Sequence, residues 1–148
     1  VLYLSHWFRR HRQAYYDHLK AVRDRGEWEA WLAFFLHGVS EVAAEAADMA
    51  RRVLQLREEH RSAITAKLGR IAGNGHKVLE SLFERPIVSV GEVRSMTGTS
   101  FAAANGLVSR LEEIGVLQEM TGYARNRRYR YAQYIALFDE SAPEGTGG

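Results

Sequence analysis

Residues 75–134 read GHKVLESLFERPIVSVGEVRSMTGTSFAAANGLVSRLEEIGVLQEMTGYARNRRYRYAQY, and this stretch decides the fold. After His76, the residues Val78, Leu79, Leu82 and Phe83 recur at helical spacing. Pro86 stops that helix, because its ring fixes φ and disfavours helical geometry in the residue before it. A short strand is predicted over 87–90, then a second helix over 92–96. Gly98, Thr99 and Ser100 make a turn, and a third helix is expected over 101–114, ended by Gly115. Two further strands, over 116–121 and 129–131, flank a tip over 122–128. Three helices followed by a small β-hairpin constitute a winged helix-turn-helix. In that arrangement the last helix normally enters the DNA major groove.

The third helix should bury Phe101, Ala104, Val108 and Leu111, with Leu107 and Ile114 extending that face. Its outer face should then show Ser100, Ala102, Ala103, Asn105, Gly106, Ser109 and Arg110. Base edges pair with Arg, Asn, Gln and hydroxyl side chains. Ser100, Asn105, Ser109 and Arg110 meet that requirement, while the remaining positions are bare Ala and Gly. Glu112 and Glu113 add repulsion toward phosphate. The face is therefore a poor base reader. The tip is better equipped for DNA: Arg125, Arg127, Arg128 and Arg130 are four cations in six positions, with no acid between Thr121 and Ile135. They suit phosphate contact, each contact adding about 0.9 to the salt slope on duplex DNA. Two alternatives stay open: a solvated hairpin tip, and a winged helix whose small-residue face packs against protein.

Composition excludes several classes. At 46% hydrophobic and 26% charged residues, the 148-residue chain is ordinary globular material, enough for one domain or two small ones. It has no cysteine, which excludes a disulfide framework and a Cys zinc site. Its six His residues include no His-Glu-x-x-His spacing, and no metal site is expected. No apolar run approaches the roughly 20 residues of a membrane span. The apolar start is followed at once by His6, Arg9, Arg10, His11 and Arg12, unlike a signal peptide. A cytoplasmic location is expected. The net charge of +2 is too small to indicate nucleic acid by itself. The chain begins with Val1 inside an apolar patch, as a piece of a longer protein would; a processed complete chain is the alternative.

Upstream of the winged helix, a helix is expected from about Ser5 to Arg25, with the stripe Leu4, Phe8, Tyr15, Leu19 and Val22. His11 and Arg12 interrupt that stripe. A long helix follows from about Trp28 to Glu59, rich in Ala, with Gly38 inside it to admit a close neighbour. A third helical piece carries Ile64, Leu68 and Ile71. Gly73-Asn74-Gly75 marks the expected boundary. The organisation predicted is a helical bundle segment over 1–72, a winged helix over 73–140 and a disordered tail over 141–148, mainly α overall. No nucleophile–base pair, carboxylate dyad or phosphate loop is evident, and no catalytic residue is assigned.

The first forty residues carry a resemblance. Leu2-Tyr-Leu-Ser-His-Trp-Phe8, His11-Arg12-x-x-Tyr15-Tyr16-x-x-Leu19 and Gly26-Glu-Trp28-x-x-Trp31-x-x-Phe34-Phe35-Leu-x-Gly38-Val39 resemble the segment that follows the active-site motif in Fic-family proteins (filamentation induced by cyclic AMP). Leu82-Phe83-Glu-x-Pro86, Gly115-Val-Leu117 and Thr121-Gly122 are similar to the C-terminal winged helix of many bacterial members. The resemblance implies a parent enzyme that moves AMP, or another phosphate-containing group, onto protein hydroxyls, with ATP and magnesium as cofactors. It also implies that His11, Arg12, Tyr15 and Tyr16 lie near nucleotide in that parent. The family's His-x-Phe-x-(Asp/Glu)-Gly-Asn-Gly-Arg motif is absent, since His76 follows Gly73-Asn-Gly75. The inhibitory Ser/Thr-x-x-x-Glu-Gly/Asn signature is also missing: Ser109 and Glu113 have the spacing, but Ile114 follows. The chain is thus expected to hold no cofactor and to transfer no AMP itself. It reads as a regulatory or targeting region whose partners are the missing N-terminal Fic core, DNA and protein substrate. A DNA-binding transcriptional module and a protein-interaction or homodimerisation module are the alternatives.

Overall fold

The computed structural model describes residues 4–123 and 125–139; the tail expected over 141–148 lies outside them. The chain is mainly α-helical with a small antiparallel sheet. Contacts divide it into two compact units, Val1–Arg51 and Arg52–Gly148. The division falls inside a helix and not at Gly73-Asn74-Gly75, where the sequence suggested it.

The first unit holds α1 (Leu4–Arg10), α2 (Arg12–Arg25) and the first part of α3 (Trp28–Leu68). The single helix expected up to Arg25 is broken at His11, whose backbone sits at φ −106° and ψ 32°. Its ring Nδ1 lies 3.0 Å from the Trp7 carbonyl oxygen, to which it donates, and its backbone N–H donates to the same oxygen at 3.0 Å. That break shifts the helical phase. The side chain at the centre of the unit is Trp7, 1% exposed, in the same helix as Leu4 and Phe8 but omitted from the expected stripe. Trp7 lies flat on Gly38, where an added Cβ would come within 2.6 Å of the indole. Its Nε1–H donates to Glu41. Phe8 and Phe34 pack against it at 5.5 and 4.9 Å between ring centroids, and Tyr15 and Trp31 join the cluster through Phe8 at 5.1 and 6.3 Å. Gly26, at φ 69°, closes α2 with its N–H shared between the Ala21 and Val22 carbonyls.

The helix α3 runs unbroken past Glu59, because no residue between His60 and Leu68 breaks a helix. Its second part belongs to the second unit and buries Leu56, Ile64 and Leu68. After a 3-10 turn at Gly69–Ile71 comes α4 (Ala72–Glu84), then β1 (Ile87–Ser89), α5 (Val90–Thr97) and α6 (Phe101–Glu113). The wing strands β2 (Gln118–Glu119) and β3 (Arg128–Arg130) follow, and α7 (Ala132–Asp139) ends the described chain. Gly73-Asn74-Gly75 lies within α4. Gly75 is buried, and a Cβ there would meet Ile64 and Leu68 at 2.9 Å. Close packing, and not a linker, accounts for that glycine.

The sheet order is β1-β3-β2, all antiparallel, pairing Val88 with Tyr129 and Glu119 with Tyr129. Strand alternation turns Tyr129 into the core and Arg128 and Arg130 outward. Ser89 caps α5 in a capping box with Glu92, Gly98 (φ 67°) ends α5, and Ser100 caps α6 by accepting from Ala103 N–H. Val78, Leu82, Val93, Leu107, Leu111 and Val116 fill the centre. One polar pair is buried among them. His60 of α3 is 6% exposed, and its Nδ1 lies 2.7 Å from the Tyr131 hydroxyl.

Candidate nucleic-acid interface

The helix α6 is positioned by its buried face, Ala104, Leu107, Val108 and Leu111, set against α4 and α5. The opposite face shows Ala102, Ala103, Asn105, Gly106, Ser109 and Arg110 to solvent, as the spacing predicts. Ser100 is exposed too, but its hydroxyl is occupied by the helix cap. Phe101 departs from the expectation. It was assigned to the core face, yet it is 58% exposed. The core beneath α6 begins at Ala104, and the turn at Gly98 leaves the first residue of the helix beyond it.

The wing is organised by Glu119. Its carboxylate accepts from the backbone N–H of Thr121 at 2.8 Å and of Gly122 at 3.0 Å, and also from the Thr121 hydroxyl. These bonds hold its pKa below the ordinary glutamate value, the Thr121 hydroxyl contributing most. The tip reverses at Gly122 (φ 65°) and Asn126 (φ 54°); Asn is among the few side chains that tolerate the left-handed region.

The four arginines, equivalent in the sequence, are not equivalent in space. Arg128 pairs with Glu92 at 3.1 Å, and Arg130 donates twice to the Gln118 side-chain oxygen at 2.9 and 3.0 Å. Arg127 donates Nε–H to the Tyr123 carbonyl at 2.9 Å, and its positive charge helps hold Glu119 ionised. Arg125 is exposed and, among the described residues, has no hydrogen-bonding or ionic partner; Arg110 is alike. Glu92 is held ionised below its ordinary range, chiefly by the Ser89 hydroxyl and backbone N–H, with Arg128 contributing less.

Between the start of α6 and the wing lies a half-open cleft of about 790 Å³, lined by Phe101, Asn105, Arg125, Asn126, Arg127 and Arg128. Asn126 and Phe101 were not among the sequence candidates. The Arg-Asn-Arg run at the tip was a usable signal for Asn126. Phe101 gave none, because its helical phase matches the core.

The four residues implied near nucleotide behave differently. His11 turns its ring onto Trp7 at 4.2 Å between centroids. Arg12 lies over the Tyr16 ring at 5.7 Å, and Tyr15 is drawn into the cluster by Phe8 and Trp31. These four carry one guanidinium and no carboxylate, so by themselves they do not fit a magnesium–ATP complex. Among the described residues no group of three His, Asp or Glu side chains converges to hold a metal, and no helix is long and apolar enough to cross a membrane. No protein-family model matches the chain.

Proposed function

We propose that the second unit is a DNA-anchoring winged helix that grips the phosphodiester backbone through its wing and reads little base sequence. The observation that supports this reading is the pair Arg125 and Arg127, exposed at a tip whose own residues 122–128 include no acid, beside an α6 face that offers only Asn105, Ser109 and Arg110 to base edges. Phosphate contacts position a protein and carry no sequence information. An interface built mainly of them binds duplex DNA non-specifically, with Kd of about 10⁻⁴ to 10⁻⁶ M at physiological salt. In the context of the Fic resemblance, this unit serves as the regulatory or targeting arm of a protein AMP-transferase whose catalytic motif is not in this chain.

The test is fluorescence anisotropy of labelled random-sequence duplex DNA, at low and physiological salt. Salt-sensitive binding with little dependence on sequence supports the reading. Absence of binding at low salt refutes it. That result favours protein contact, for which the bare α6 face is suited: a Cβ added at Gly106 would meet nothing within 4 Å.

A further inference from the structure

Backbone anchoring leaves part of the cleft unexplained. A surface that only neutralises phosphates has no need of an aromatic ring, yet Phe101 stands in the cleft 58% exposed. Its ring is not required for the fold, since the cap belongs to Ser100 and the core begins at Ala104. Asn105 lies four residues on, so its Cβ is roughly 5–6 Å from that of Phe101 on the same helix face. Arg125, Asn126, Arg127 and the Glu92-paired Arg128 line the cleft from the wing. The cleft thus joins a ring for stacking, two asparagines and three arginines, one of them paired with Glu92.

That combination matches one chemistry. A nucleotide has a flat π-face, a polar edge of donors and acceptors, and an anionic phosphate. Bases stack on aromatic side chains, amides pair with base edges, and arginines hold phosphates. The volume, about 790 Å³, is ample for one nucleotide. A base pair in the interior of a duplex keeps both faces stacked and cannot present one to Phe101. A terminal pair offers its one free face along the helix axis, away from the flanking phosphates. We infer that this cleft takes an unpaired nucleotide of a DNA strand, with Phe101 stacking on the base, Asn105 and Asn126 meeting its edge, and Arg125 and Arg127 holding the flanking phosphates. The unit then prefers DNA with a single-stranded extension to blunt duplex. This inference rests on the DNA reading and adds the form of DNA that is favoured.

The experiment compares a blunt duplex with the same duplex carrying a short single-stranded extension, by anisotropy at constant salt. The proteins compared are wild type, Phe101→Ala and Phe101→Leu, each checked for an unchanged melting curve. The extension should tighten wild-type binding about tenfold, within the range of one stacked base. Both variants should lose most of that gain, each measured against its own affinity for blunt duplex. A 2-aminopurine in the extension should change its fluorescence on binding wild type and not on binding Phe101→Ala. Equal affinity for the two DNAs, or a gain that survives both substitutions, overturns this inference and leaves backbone anchoring standing. Absence of binding to either DNA overturns both.

Discussion

Replacing Arg125 and Arg127 together by alanine is the sharpest test of the wing. Three exposed guanidinium groups on this surface keep their terminal nitrogens out of any hydrogen bond or ion pair among the described residues: Arg110, Arg125 and Arg127, the last with the Glu119 carboxylate in electrostatic reach. If each neutralises one phosphate, the slope of log K against log salt is about −2.7, and binding weakens about fortyfold between roughly 50 and 200 mM salt. The double substitution leaves one such contact, so the slope should fall to about −0.9 and the loss over the same range to about fourfold. Arg130→Ala supplies the control. Gln118 engages both its Nε–H and a terminal N–H, which leaves its charge in place but turns it along the sheet with fewer donors for phosphate than Arg127 keeps. Removing it should therefore change the slope by less than the roughly 0.9 of a full contact. The assay is anisotropy of one labelled duplex titrated at several salt concentrations. A slope untouched by the double substitution, or lowered as much by Arg130→Ala alone, refutes the distinction between free and held arginines.

Gly38→Ala would force a methyl group to within 2.6 Å of the Trp7 ring; overpacking of about 1–3 kcal/mol outweighs a helix-propensity gain of about 1, and urea denaturation followed by tryptophan fluorescence should show a net loss. Burial lowers the pKa of His60, so in the window below the unfolded value of about 6.5 the unfolded chain binds more protons than the native one. Stability of the second unit is therefore full above that value and falls as pH drops through the lowered native pKa. Denaturant midpoints between about pH 7 and 5 should decline accordingly, and His60→Leu with Tyr131→Phe should flatten the decline, since removing both partners leaves neither unsatisfied. Ser89→Ala removes the α5 cap and should cost about 1 kcal/mol in thermal or chemical denaturation. Incubated with labelled ATP, magnesium and candidate proteins, this chain should transfer no AMP; any transfer that depends on it contradicts the reading of the N-terminal segment.

The winged helix was legible because its breaks are chemically enforced. Pro86 ends α4, Ser89 and Glu92 begin α5, and Gly98 and Gly115 take left-handed backbone that other residues avoid. Errors arose where one residue type serves two purposes. Gly75 reads as a linker in sequence, but in space it lets α4 approach Ile64 and Leu68. Trp7, three residues after Leu4 and beside Phe8 in α1, shares the face of the stripe; its weight in the core was not legible because Gly38, the surface that admits it, is distant in sequence. The helix α7 was not anticipated; at eight residues it is short for a periodic signal, and it leans on Phe83 through Tyr134. At the site, residue type located the wing correctly. It could not tell a free arginine from a held one, because Glu92 lies 36 residues before Arg128.

That same carboxylate has a consequence for how the surface can change. Glu92 begins α5 through Ser89 and also restrains Arg128. A substitution that released Arg128 would add a cation to the wing and remove a negative charge beside it, and it would loosen the start of the helix-turn-helix in the same stroke. Tighter grip and firmer architecture thus pull on one side chain in opposite directions. A lineage seeking stronger binding has an easier course at Gly106 on the outer face of α6, where an added Lys or Arg side chain starts in open space and favours the helix.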